Sequence, residues 1–259
     1  MPKFILRFLA LSILCAGAAF GQQGSFGQIA YGGSWQTTFT LINLSGSGVA
    51  TVTLSFWGDG GSPLNAPVQG FGVTSAYTFA IPAGGAQNVV LASSDPATTQ
   101  GWASMSASNG PVRGQGSFRF VVPNGNGAIS EAVVPLTFPP GTTLCLIPFP
   151  QSSPLVLIPF DNTSGQYLTS LAVANITSSP QSYVMEFVDQ ANNTLAADTL
   201  GLNPKQHRAF VTTTAYPTLA GKKGVIRIHG STTDQSVPTV LGLLSNSTNA
   251  ITTIVPITQ

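Results

Sequence analysis

Trp35-Gln-Thr37-Thr-Phe39-Thr-Leu41-Ile-Asn43 and Tyr167-Leu-Thr169-Ser-Leu171-Ala-Val173-Ala-Asn175 are two versions of one phrase, spaced by 132 residues. The Thr and the closing Asn are identical, and the positions that alternate with them are apolar in both. A repeated phrase is weighed before any single element, because a missed repeat misassigns the whole fold.

The match extends outward. Val52, Leu54 and Phe56 before Asp59 and Leu64 correspond to Tyr183, Met185 and Phe187 before Asp189 and Leu195. Both copies then reach a proline turn, at Pro82 and Pro204, and Gly101-Trp102 corresponds to Gly224-Val225. Each copy closes on one phrase, AISEAVVPLT over 128–137 and AITTIVPIT over 250–258.

Every matched segment alternates with period two, as a half-buried strand requires. Trp35, Thr37, Phe39 and Leu41 share one face, and Gln36, Thr38 and Thr40 share the other. Turn clusters separate the segments: Gly46-Ser-Gly48, Gly58-Asp-Gly-Gly61, Ala83-Gly-Gly85 and Asn124-Gly-Asn-Gly127. They supply the positive φ that tight turns need. Short strands so punctuated predict an all-β protein of two tandem immunoglobulin-like β-sandwich domains related by internal duplication, with about seven strands in each. An outer-membrane barrel is the competing all-β reading. Against it stand the scarcity of Tyr, the lack of aromatic girdles and a last strand broken by Pro256.

Residues 1–21 read as a secretory signal, with Lys3 and Arg7 before the apolar run Phe8 to Ala16 and a small-x-small site at Ala19-Phe20-Gly21. The chain then divides into a first sandwich over 22–137, a proline-rich linker over 138–154 and a second sandwich over 155–259. A secreted, periplasmic or cell-surface location is expected, with no transmembrane helix in the mature chain. Cys15 lies in the signal, where the bulky Leu14 before it disfavours lipid attachment. Only Cys145 remains, so stability rests on packed cores and not on an internal disulfide.

Charged residues are 7% of the chain, nine basic against eight acidic. So few cations cannot neutralise many phosphates, which excludes nucleic acid as the expected partner. Low net charge favours self-association, with exposed edge strands as the contact.

The strand opening at Trp35, the Phe56-Trp-Gly-Asp59 and Pro63-Leu64 turn, Gly101-Trp102, Phe118-Arg119 and Glu131-Ala-Val-Val-Pro135 resemble exported bacterial proteins of unknown function built from tandem immunoglobulin-like repeats. The resemblance spans nearly the whole mature chain. It implies fold and export, and it carries no catalytic residue with it. The second copy departs from it by lacking counterparts of Trp102, Arg119 and Glu131.

His207 and His229 are the only imidazoles, and no Gly-x-Ser-x-Gly elbow accompanies them. His207, between Gln206 and Arg208 after Pro204, reads as a solvated turn residue. His229 ends Val225-Ile-Arg227-Ile-His229, which sends Ile226 and Ile228 inward and His229 outward. These residues make no zinc set, the single carboxylate of Gly58-Asp59-Gly60-Gly61 makes no calcium loop, and no cofactor is expected. Pairing Asp59 or Asp95 with Glu131 is a remote enzymatic reading. Five Asn-x-Ser/Thr sequons occur, and at Asn43 and Asn175 the side chain is expected to fix a turn.

One polar face invites a ligand. Arg113, Gln115, Ser117 and Arg119 alternate with Val112, Phe118 and Phe120, and a hairpin brings Arg119 opposite or diagonal to Glu131. With Trp102 on the same face, Arg113, Arg119 and Glu131 form a candidate binding site for a sugar ring. The plainer and preferred account is a surface ion pair with Trp102 packed under a loop or against the other repeat, since aromatic side chains bury their large area. The leading functional expectation is a non-enzymatic exported module with a structural, adhesive or assembly role, meeting protein or glycan at the cell surface. Carbohydrate binding by the first sandwich is the alternative.

Overall fold

In the computed structural model, which describes residues 21–121, 129–139, 155–231, 237–248 and 250–258, the alternating segments become antiparallel strands. The expected signal lies outside the described residues apart from Gly21, as do Cys15, Cys145 and positions 140–154 of the expected linker. The N-terminal half contains β1 (Gln22–Tyr31), β2 (Trp35–Asn43), β3 (Ala50–Gly58), β4 (Ala66–Val68), β5 (Gly72–Thr74), β6 (Ala76–Ile81), β7 (Ala86–Ala92), β8 (Thr99–Ser108), β9 (Val112–Val121) and β10 (Ile129–Thr137). The C-terminal half contains β11 (Leu155–Asp161), β12 (Tyr167–Ala174), β13 (Gln181–Asp189), β14 (Thr194–Leu202), β15 (His207–Val211), β16 (Lys223–Gly230), β17 (Thr239–Asn246), β18 (Ile251–Ile254) and β19 (Ile257–Thr258). A helical turn α1 (Thr212–Ala215) and a 3-10 turn (Pro217–Leu219) interrupt the second half. No helix among the described residues is long and apolar enough to cross a membrane.

Alternation in sequence becomes alternation in burial. Thr37, Phe39 and Leu41 of β2 are buried, as are Val52, Leu54 and Phe56 of β3, while Thr51, Thr53 and Ser55 are more open. The buried faces meet across the sandwich, where the Phe39 ring stacks 6.3 Å from that of Phe56. A second core gathers Ile158, Phe160, Val173, Met185, Phe187 and Ile228. Removing these apolar faces from water is the main favourable term in forming either core.

The strand order of one half reappears in the other. β6-β3-β8-β1 and β7-β2-β9-β10 run as β14-β13-β16-β11 and β15-β12-β17-β18 do, with the hairpin β4-β5 an addition to the first half. The four-residue phrases around Pro135 and Pro256 lead the chain from one sheet to the other. Pro135 still pairs with Gln115 of β9, and the next two residues pair with β1 through Phe26↔Leu136 and Ser25↔Thr137. In the second half β18 pairs with β17 and, past Pro256, β19 pairs with β11 through Leu157↔Ile257 and Val156↔Thr258. The switch is continuous in the first half, giving one ten-stranded sheet, and broken in the second, giving sheets of five and four strands.

This order differs from the immunoglobulin expectation at the end strands. A constant-type immunoglobulin domain groups its first strand with the second and its last with the third and sixth. Here β11 runs beside β16, and β17 beside β12. Period-two burial fixes which face of a strand is inside, and both arrangements satisfy it.

The shared residues make shared bonds. Thr37 Oγ1 donates to Ala30 O at 2.7 Å and accepts from Ala30 N at 2.9 Å, and Thr169 does the same with Asp161 at 2.9 and 2.9 Å. Asn43 Nδ2 donates to Ile81 O at 3.0 Å and Asn175 Nδ2 to Leu202 O at 3.2 Å, tying the end of β2 to the end of β6 and the end of β12 to the end of β14. Their Oδ1 atoms accept from Ser45 N and Thr177 N, both at 2.9 Å, which closes the Asx turns expected of them.

Candidate functional site

Three of the four proposed binding residues lie on one outer face. Arg113 and Arg119 project from β9, and the register Glu131↔Arg119 places the carboxylate directly across on β10. Arg119 Nη2 stands 3.4 Å from Glu131 Oε2, with the two side chains 45% and 44% exposed. The Arg113 guanidinium lies 4.5 Å from the Phe138 ring and donates to Val112 O at 3.0 Å.

Trp102 is elsewhere. It belongs to β8 in the opposite layer of the sandwich, where Ala103, Met105 and Ala107 point into the core and Trp102 points out. The outward direction follows the sequence pattern, yet Trp102 is 0% exposed. The second half covers it. Trp102 therefore offers no stacking face to a sugar beside Arg113, Arg119 and Glu131, and the four-residue platform is not assembled.

The cover is the turn between β14 and β15. Gln206 N donates to Asn203 O at 3.0 Å, Pro204 pre-sets the first corner and Lys205 takes the left-handed φ of 59° at the next. The first half builds the same turn over 82–85, with Gly85 N bonded to Pro82 O at 2.9 Å and Gly84 at φ 66°. Lys205 thus stands where the first half uses glycine. A lysine there is uncommon, and it holds a strained conformation at the point where the two halves touch.

Trp57, Asp59 and Trp102 of the first half hold this turn. Trp102 Nε1 donates to Lys205 O at 2.8 Å. The Lys205 ammonium lies 5.6 Å from the Trp57 ring and 5.8 Å from the Trp102 ring, and it donates to Ile176 O within its own half. The two indoles stack at 6.0 Å. Partial burial pulls the Lys205 ammonium below the usual lysine pKa. Finally, His207 Nδ1 sits 2.7 Å from Asp59 Oδ1, and His207 N donates to Asp59 O at 3.2 Å.

His207 is the correction here. It was expected in solvent, but its side chain is 0% exposed. Its local sequence is that of a turn, and the partner that buries it is 148 positions away. Gly61, at φ 83°, completes the fit, because a Cβ there would overlap the Pro204 carbonyl oxygen. His229 alternates with the inward Ile228 but is half-buried, its Nδ1 3.0 Å from Gly230 O.

The carboxylates have separate structural partners. Asp59 accepts from Gln100 Nε2 at 3.2 Å in addition to its histidine, Asp95 caps the turn at Ala97 N at 2.8 Å, and Glu131 meets Arg119. Among the described residues, no three His, Cys, Asp or Glu side chains gather in a metal-binding set. A mainly apolar cleft of ≈ 280 Å³ between the halves is lined by Ser25, Thr137, Val156, Ile176 and Val240. The cluster missed in sequence is Trp57, Asp59, Lys205 and His207. Its one legible trace is a lysine in a turn position where the first half has glycine.

No protein family, curated protein or solved structure matches this chain.

Proposed function

We propose that the chain is an exported, non-enzymatic protein made of two duplicated β-sandwich units, docked to each other, with a structural, adhesive or assembly role at the cell surface or outside the cell. The observation that carries this reading is the docking contact. The ionisable groups that chemistry would need are engaged in holding one unit against the other: Asp59 with His207, and Lys205 over the two indoles. Duplication is supported by the paired Thr and Asn bonds and by the repeated strand order. Export is supported by the charge and hydropathy pattern of residues 1–21. The immunoglobulin-like reading is supported by the layered antiparallel strands of the two units, whose end strands are exchanged relative to it.

Fractionation of the native host with an antibody to the chain tests the location. The chain is expected outside the cytoplasm and shortened by residues 1–21. Cytoplasmic retention with that segment intact contradicts export. Reproducible turnover by pure protein, abolished by one point substitution, contradicts the non-enzymatic role.

A further inference from the structure

The turn that covers Trp102 also walls a small notch. Lys205 and Ile176 of the second half line one side of it, and Gln23, Ser55, Ser104 and Ser106 of the first half line the other, around a volume of ≈ 160 Å³. That is room for about five waters at about 30 Å³ each, the size of one small polar group. Gln23 and Ser106 are exposed, so the notch opens to solvent.

Lys205 is the one charged side chain lining the notch among the described residues, and it makes no ion pair with any of them. An ammonium has three hydrogens to donate, and Ile176 O takes one. The two indoles offset part of the cost of drawing this cation out of water, but they supply no counter-charge. The facing side chains are donors. Ser104 Oγ accepts from Trp57 Nε1 at 3.0 Å, which leaves its own hydrogen to give. The side chains of Gln23, Ser55 and Ser106 make no hydrogen bond among the described residues.

The same crossing in the second half is built otherwise. Ser55 lies opposite Ser104 across β3 and β8, and the matching pair across β13 and β16 is Glu186 and Arg227, an ion pair at 3.9 Å. The first half has no carboxylate at that crossing to neutralise the cation beside it.

We propose that this notch binds one oxyanionic group, a sulfate, a phosphate or a carboxylate, with Lys205 supplying the charge and Ser55, Ser104 and Ser106 the hydrogen bonds. Hydrogen bonds to an ionised acceptor are about twice as strong as neutral ones, so an ammonium among hydroxyl donors selects an anion over a neutral sugar. A free anion and the acid group of a polysaccharide both present this chemistry. The inference goes beyond the exported role, and it rests on the docked pair, because Lys205 reaches the notch from the second half.

Nitrogen-15 NMR of the full chain tests it at the Trp57 indole, whose N–H is bonded to Ser104, assigned with Trp57→Phe. Sodium sulfate, sodium phosphate or sodium galacturonate is added at an ionic strength matched with sodium chloride. A saturable shift that chloride does not produce is expected. Saturation by sulfate or phosphate alone identifies a free anion, and saturation by galacturonate an acidic sugar. The shift is expected to vanish in Lys205→Met and in Ser55→Glu, which supplies the missing carboxylate internally. Ser55 takes no part in the docking bonds, so retained protection of the Trp102 indole in Ser55→Glu separates loss of the anion from loss of docking. The absence of a saturable shift with all three anions overturns the proposal. So does an equal shift with neutral galactose, or a shift that survives both Lys205→Met and Ser55→Glu.

Discussion

The two halves agree where the fold requires a residue and differ where the halves meet. Thr37 and Thr169, Asn43 and Asn175, and the sheet switches at Pro135 and Pro256 perform equal tasks. Gly101 and Gly224 belong with them. A Cβ on either would fall inside the facing carbonyl oxygen, of Trp57 in one half and Val188 in the other. The divergent positions are Trp102 against Val225, and Lys205 and His207 against Gly84 and Ala86. In the first half Trp102 receives the turn; in the second, Lys205 and His207 are the turn. These differences mark an asymmetric contact in which one half is the socket and the other the plug.

The largest test of this contrast is truncation of the socket. Trp102→Ala is expected to cost about 3–5 kcal/mol, the range for removing a fully buried large aromatic. Val225→Ala, at the matching but uncovered position, is expected to cost about 1 kcal/mol. Chemical unfolding of both variants measures the difference, and equal losses would break the assignment of roles.

Next come positions where the halves should behave alike. Gly101→Ala and Gly224→Ala each force a methyl against backbone, which has little freedom to retreat, at about 2–3 kcal/mol. Asn43→Ala and Asn175→Ala each strip buried carbonyls of their donor, at about 1–3 kcal/mol. Urea denaturation of the four variants checks both pairs. A large effect in one half without its counterpart in the other would weaken the equivalence.

Much of this architecture was legible because burial alternates with the sequence. The inward faces of β2, β3 and β16, the outward face of β9 and the Arg119 to Glu131 pairing follow from period two and one hairpin. Sheet membership of β1 and β9 does not, because alternation specifies a face and not a neighbour. The proline turns matched in sequence are also offset by one residue, since Pro82 holds the corner that Asn203 holds in the second half. Trp102 has the direction its pattern gives, and of its two readings the structure shows the plainer one, an indole packed under a loop of the other half, and not the sugar platform. Its outward face is solvent only if the second unit is elsewhere, and nothing local to Gly101-Trp102 or Pro204-His207 encodes that these segments meet.

Smaller effects sharpen the same picture. Burial lowers the Lys205 pKa in the folded chain, so between that value and the ordinary 10.5 the unfolded chain binds more protons. Stability is then expected to gain slightly as pH climbs through that window. Lys205→Met should remove this gain, as thermal midpoints taken across the alkaline range would reveal. Smallest is Arg119→Ala. Its exposed ion pair is expected to contribute only about 0.5 kcal/mol, and a larger loss by urea denaturation would mean that the face has a further partner.

The most direct test of the docked pair is hydrogen exchange at the Trp102 indole, followed by nitrogen-15 NMR and assigned with Trp102→Phe. A 0% exposed N–H bonded to Lys205 O is expected to exchange orders of magnitude more slowly than an open indole, and to lose that protection in Lys205→Gly combined with His207→Ala. An indole that exchanges at the open rate in the unaltered protein would mean that the turn does not sit on Trp102, and that the two units are not held together as described.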